Sequence, residues 1–161
     1  MKIKYGEKIP NCKVFVFSED APKEISMDEI IGRDKVVLFG LPGAFTPTCS
    51  SKHLPGFINS ADELKKKGIK KIICISVNDA FVMDAWGKSH KAQEKIIMLA
   101  DSKGQFTKSI GAELDLNTRG LGIRSERYIM LIENGFVKKI VVEKVAGKCE
   151  ITAAENFLKQ I

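Results

Sequence analysis

Two rhythms of apolar residues run along this chain. Lys13-Val14-Phe15-Val16-Phe17 alternates, which predicts an early strand with one buried face. Residues 35–41, Lys35-Val36-Val37-Leu38-Phe39-Gly40-Leu41, are apolar almost without interruption, the mark of a strand buried on both faces. Lys71 to Val77 and Ile96 to Ala100 predict two more strands, and Arg127–Glu133 and Phe136–Glu143 flank Asn134-Gly135, a strong hairpin signal. Helical stretches lie between them. Ser26-Met27-Asp28-Glu29 is a capping box that opens a short helix through Ile31, which Gly32 then breaks. A helix is predicted from Thr48 or Cys49, kinked or interrupted at Pro55-Gly56, restarted by a second capping box at Ser60-Ala61-Asp62-Glu63, and ended by Gly68. Asp79 to His90, Gln105 to Ile110, and a segment from Thr152-Ala153-Ala154-Glu155 to the end complete the helices.

A strand–helix–strand unit implies parallel strands joined by a right-handed crossover. Parallel strands followed by an antiparallel hairpin and a closing helix describe a thioredoxin-like α/β fold. The expected architecture is a central mixed sheet flanked by helices, with an N-terminal strand or hairpin extension.

Composition narrows the possibilities. The 161 residues suit one domain over 1–161, and 44% hydrophobic with 29% charged residues is the balance of a soluble globular protein. No apolar stretch approaches the roughly 20 residues of a membrane span. The start, Met1-Lys2-Ile3-Lys4-Tyr5-Gly6-Glu7, lacks a signal-peptide core, so a reducing, cytoplasmic setting is expected. Four scattered cysteines, Cys12, Cys49, Cys74 and Cys149, fit reduced thiols better than a disulfide framework. The net charge is +6, yet its densest run, Lys65 to Lys71, lies at a helix end and carries no interleaved aromatics, so no nucleic-acid partner is expected. Two histidines and no C-x-x-C argue against structural zinc. Gly120-Leu121-Gly122 lacks the third glycine and preceding strand of a dinucleotide loop. No metal or organic cofactor is expected.

Pro42-Gly43-Ala44-Phe45-Thr46-Pro47-Thr48-Cys49 directly follows the most apolar strand. An isolated cysteine is commonly a small buried hydrophobe. Here two prolines, a glycine and three hydroxyl residues surround it, which is poor core material and good material for a polar pocket. A helix N-terminus offers partial positive charge and unpaired N–H groups, which stabilise a thiolate over a thiol. The position three before Cys49 is Thr46 and not a second cysteine, so a local disulfide cannot form. A hydroxyl at Thr46 suits a substrate whose oxygens must be held beside the sulfur.

The segment Pro42 to Ser50 followed by His53-Leu54-Pro55-Gly56 resembles the active-site signature of peroxiredoxins, specifically the type II or peroxiredoxin-five subfamily. Ser76-Val77-Asn78-Asp79-Ala80-Phe81-Val82, Trp86-Gly87, Leu99-Ala100-Asp101 and Arg124-Ser125-Glu126-Arg127-Tyr128 are similar to the same subfamily, in the same order. The resemblance implies thiol-dependent reduction of hydrogen peroxide and organic hydroperoxides, with Cys49 oxidised to a sulfenic acid. It further implies that Thr46 bonds the peroxide oxygens, Arg127 holds the thiolate and polarises the O–O bond, Pro42 shields the pocket, and backbone N–H groups near Thr48 and Cys49 bind developing charge. Arg124 falls outside the matching position. Glutathione, glutaredoxin or thioredoxin would return the electrons.

An ordinary thiol with a pKa of about 8.5 is already a few per cent thiolate at neutral pH. Lowering the pKa raises the reactive fraction only about ten- to thirtyfold, while intrinsic nucleophilicity falls. Most of the acceleration must therefore come from positioning the peroxide and stabilising its leaving oxygen. Cys74, inside an apolar strand, reads as structural, and Cys12 supports no role. Cys149 lies about two residues ahead of the resolving position of two-cysteine members, which falls at Ile151 here. External thiol is the favoured route for recycling Cys49, with Cys149 as the possible internal one. Phe45, Phe81, Met83 and Trp86 have the spacing of core residues, and in related peroxiredoxins these segments meet across a homodimer interface. A peroxide sensor or redox relay acting through Cys49 is the alternative to an enzyme.

Overall fold

The computed structural model describes all 161 residues. Nine strands and five α-helices follow in order: β1 (Lys13–Ser18), β2 (Ala21–Ser26), α1 (Met27–Ile31), β3 (Lys35–Gly40), α2 (Leu54–Lys66), β4 (Lys71–Ser76), α3 (Ala80–Ser89), β5 (Ile97–Ala100), α4 (Gln105–Ser109), β6 (Glu113–Asp115), β7 (Ile123–Ser125), β8 (Tyr128–Glu133), β9 (Phe136–Val142) and α5 (Ala154–Leu158). Seven strands form one mixed sheet in the order β2-β1-β5-β4-β3-β8-β9, and β6 pairs with β7 alone. β3, β4 and β5 run parallel, while β8 lies antiparallel against β3. This is the expected thioredoxin-like arrangement. The N-terminal extension is the β1–β2 hairpin, which joins the sheet through Phe15 opposite Ala100.

The unbroken apolar run in β3 has the expected cause. Val37 and Phe39 face a cluster with Leu54, Phe57 and Leu64 of α2, Trp86 of α3 and Phe157 of α5. Val36 and Leu38 face the opposite cluster, with Met27 and Ile31 of α1 and Phe106 of α4. Burial on both faces requires apolar residues at both parities. Gly40 closes β3 opposite Tyr128, and a Cβ there would enter the Tyr128 ring. The chain can therefore leave the sheet toward the following loop only without a side chain at 40.

Local signals hold where the chain around them is irregular. Ser26 Oγ accepts from Glu29 N at 3.2 Å and the Glu29 carboxylate accepts from Ser26 N at 2.7 Å, completing the capping box. Asn134 and Gly135 both adopt left-handed φ, 53° and 79°, which turns β8 tightly into β9.

Three helix expectations need correction. Pro55-Gly56 does not interrupt α2. The irregularity falls upstream, where Leu54 N donates to Cys49 O five residues back and opens a π turn over Cys49–His53. Pro55 then sits in the first turn of α2, where a missing N–H costs little. Ser60-Ala61-Asp62-Glu63 is mid-helix, because a capping box needs a non-helical first residue and the chain is already helical there. At the C-terminus Ala153 is the N-cap, without a side-chain cap bond. The Thr152 hydroxyl is turned instead toward Glu143. The short β6 and β7 carry no pattern long enough to read from sequence.

Candidate active site

The loop leaving β3 is fastened to the end of β4. Asn78 Oδ1 accepts from Ala44 N at 3.0 Å, and Ser76 Oγ lies 2.8 Å from Asn78 Oδ1 and 3.1 Å from Leu41 O. One hydroxyl proton serves those two acceptors in turn. Phe45 takes a left-handed φ of 60° at the loop tip and points to solvent. Gly43 lets two groups approach, since a Cβ there would sit 3.0 Å from Arg124 Nη1 and 3.2 Å from Thr46 Cγ2. Thr46 Oγ1 donates to Gly43 O at 2.7 Å, which leaves its lone pairs free to accept from a substrate O–H.

Pro47 is the first helical residue, the position where its fixed φ is an advantage. Thr48 and Cys49 follow in the same first turn, so their N–H groups have no carbonyl one turn back. The turn closes when Ser50 N donates to Thr46 O at 3.0 Å.

Cys49 is 1% exposed, and so is Arg127, which enters from the start of β8. The guanidinium is held on three sides. Nη2 donates to Cys49 Sγ at 3.2 Å, Nη1 to His53 Nδ1 at 2.9 Å, and Nε to Ala146 O at 3.0 Å. A cation thus lies against the sulfur that carries negative charge once ionised. Burial first, and then the neighbouring Arg127, holds His53 well below the usual histidine range, with the Thr152 backbone opposing weakly. The ring is therefore neutral at pH 7, and its Nδ1 is free to accept from Arg127. Phe39 and Phe57 pack around His53 and keep water away.

Above these groups opens a cavity of about 400 Å³. Pro42, Thr46 and Arg127 line it, and Leu114, Leu116, Leu121 and Val145 supply apolar walls. A small oxidant in this cavity meets a hydroxyl and a guanidinium, and the same guanidinium touches the buried thiol. That combination suits attack by sulfur on an O–O bond.

The Redoxin family model matches residues 4–158. The chain is 46% identical to peroxiredoxin-2D of Arabidopsis thaliana over 160 residues, covering 99% of this chain and 98% of that protein. The chain belongs to the peroxiredoxins. It is also similar to reduced Prx3 of Vibrio vulnificus in complex with hydrogen peroxide, with TM-score 0.92 and 45% identity over 98% of both chains. Oxidised Prx3 from the same organism matches with TM-score 0.90 and 45% identity, over 99% of both chains. Peroxiredoxin 5 of Alvinella pompejana matches with TM-score 0.85 and 34% identity, over 98% of this chain and 96% of that one. As a peroxiredoxin this chain is an oxidoreductase, a thiol-dependent peroxidase.

The structure brings Thr46, Arg127 and Pro42 together around one cavity, and Cys49 lies behind Arg127, in contact with its guanidinium. Arg124 stands outside the sulfur's contacts and donates through Nε to Leu121 O at 2.7 Å. Cys149 is half-buried in the loop after β9, and burial pushes its thiol up while Arg127 acts in the opposite sense. Cys74 lies in β4 opposite Phe39, and burial followed by the nearby Cys49 raises its thiol well above the usual value. All four cysteines are free thiols.

Sequence reasoning assigned no role to His53, Asn78, Ser50 or Glu143. His53 stood inside the quoted motif, and its spacing of four from Cys49 was a usable signal, because those positions share a helix face. Nothing local marks Glu143, which acts on residues 7 to 9 positions away.

Proposed function

We propose that this peroxiredoxin reduces hydrogen peroxide and organic hydroperoxides at Cys49, and that an external thiol, glutathione with glutaredoxin or else thioredoxin, completes the cycle. The observation that carries the reading is the donation from Arg127 Nη2 to Cys49 Sγ at 3.2 Å beneath a cavity edged by Thr46. The Cys49 thiolate attacks one peroxide oxygen and the O–O bond breaks. The sulfur is oxidised to a sulfenic acid, while the departing oxygen takes a proton and leaves as water or an alcohol. Arg127 and the first-turn N–H groups stabilise charge on the departing oxygen, and Thr46 Oγ1 orients the hydroperoxyl group. Pro42 covers the site against bulk water. The apolar walls suit the carbon portion of an organic hydroperoxide.

Resolution follows when glutathione sulfur displaces water from the sulfenic acid. A second thiol then releases Cys49 as glutathione disulfide forms. The half-buried position of Cys149 and its raised thiol favour the external route over an internal one. We further propose a cytoplasmic homodimer joined beside the active site, where Phe45 and Phe81 stand 58% and 57% exposed.

Intact mass after one equivalent of hydrogen peroxide, with and without glutathione, tests the cycle in wild type and Cys149→Ser. A sulfenic acid or glutathione adduct on Cys49 in both proteins is expected. Loss of two hydrogens in wild type alone would instead establish a Cys49–Cys149 disulfide.

A further inference from the structure

The loop that follows β9 is tied down from both sides of the active site. Arg127 Nε donates to Ala146 O at 3.0 Å, and Thr48 Oγ1 donates to Gly147 O at 2.7 Å. Val145, Ala146 and Gly147 then form one wall of the cavity. This wall belongs to no strand or helix, so something outside regular structure must hold it.

Glu143 does so. Its carboxylate is buried, and one oxygen, Oε2, accepts from Glu150 N at 2.9 Å, Thr152 Oγ1 at 2.8 Å and Thr152 N at 3.1 Å. The Glu143 backbone N–H donates to Arg127 O at 2.9 Å. One side chain therefore knots both ends of the 143–152 loop, and its own residue is bonded to the arginine that the loop supports. Three charge-assisted bonds to one oxygen are strong by protein standards. Burial raises the carboxyl, but the bonds from Glu150 and Thr152, with Arg127 nearby, outweigh it and leave Glu143 below its ordinary value. The carboxylate is ionised at neutral pH, as such a knot requires.

We propose that Glu143 is a positioning residue for peroxide reduction, acting through the loop it closes to aim the Arg127 guanidinium at Cys49. The inference rests on the peroxidase reading above. Glu143 touches neither sulfur nor cavity, so it acts only by fixing Ala146 O, the acceptor that sets the Arg127 Nε direction. An amide at 143 can offer only a neutral oxygen to these three donors, so each bond loses its charge assistance. The loop would then loosen, and Arg127 would keep only its bonds to His53 and Cys49.

A double-mutant cycle tests this, with Glu143→Gln made in wild type and in Arg127→Ala. The chain has a single tryptophan, Trp86, whose Nε1 donates to Ser50 Oγ at 3.0 Å beside Cys49, so its fluorescence can follow single-turnover oxidation by hydrogen peroxide. Glu143→Gln is expected to slow oxidation about tenfold in wild type, as displaced positioning groups do. In the Arg127→Ala background it is expected to change the rate less than about twofold. Amide exchange over 144–152 should quicken in Glu143→Gln whichever residue stands at 127. An equal loss in both backgrounds, or no loss in wild type, overturns the proposal. Should Glu143→Gln not fold, Thr152→Val carries the same cycle, and Thr152→Ser, which keeps the hydroxyl, should restore the rate. Because Arg127→Ala and Thr46→Val report directly on peroxide reduction, their having no effect would instead count against the peroxidase reading itself.

Discussion

At the residue scale the site is organised around one guanidinium. Arg127 is buried, yet each of its three nitrogens has a partner, so no charge is left bare. An unpaired buried cation would cost several kcal/mol, which explains why a neutral histidine, a carbonyl and a sulfur all converge on it. Thr46 is the simplest position at which to separate substrate handling from thiol chemistry. Thr46→Val keeps the shape and removes the hydroxyl. Its expected outcome is a loss of about 10²-fold in peroxide oxidation, the order of one removed oxyanion-type contact, with alkylation of Cys49 by iodoacetamide unchanged. Stopped-flow oxidation and alkylation rates on the same preparation check it, and parallel losses in both would mean Thr46 acts on the sulfur instead.

The candidate residues of the loop after β3 were legible because they lie close together in sequence. Thr46 and Cys49 lie in one eight-residue motif, and helix-start physics alone points to the cysteine. Of the three partners of Arg127, the resemblance implied only Cys49. His53 Nδ1 and Ala146 O lie 74 and 19 positions away, and only folding brings them to the guanidinium.

At the element scale the notable piece is the π turn over Cys49–His53. One extra residue in a turn shifts the phase of every side chain after it, so Cys49 and His53 can both face Arg127 while α2 keeps its apolar face on the sheet. Helix α3 braces this turn, with Trp86 Nε1 donating to Ser50 Oγ and His90 Nε2 lying 3.0 Å from Ser50 O. Trp86→Phe removes one of those braces and retains most of the packing. Loss of that bond is expected to cost about 1 kcal/mol locally, seen as roughly fivefold faster amide exchange at 49–53 with little change in the sheet strands. Uniform acceleration across the chain would place the bond in global stability instead. Pro55 was read as a helix breaker because proline removes a donor. Where the structure puts that missing donor depends on the turn before it, which no pairwise sequence rule describes.

At the scale of the whole molecule, burial of titratable groups links stability to pH. His53 is held well below the ordinary histidine value, chiefly by burial and then by Arg127. Between its folded value and 6.5 the unfolded chain binds the extra proton and the folded chain does not. Stability is therefore full above about pH 6.5 and is lost as pH falls below it, by at most about 1.4 kcal/mol per pH unit. Urea unfolding at pH 7.5, 6.5 and 5.5 should show this slope, and His53→Gln should flatten it. An equal slope in both proteins would assign the acid sensitivity elsewhere.

The sequence by itself determined six of the seven strands of the sheet, the β8–β9 hairpin, the capping box of α1 and the cysteine in the first helical turn after β3. Each of these depends on residues within a few positions of one another, where periodicity, turn preference and helix-end electrostatics act directly. Tertiary structure alone decided how Arg127 is aimed, where α2 becomes irregular and what holds the loop after β9. Those outcomes depend on satisfying buried polar groups across the fold, and the partner of a buried donor is set by which strands and helices come together, not by its neighbours in the chain.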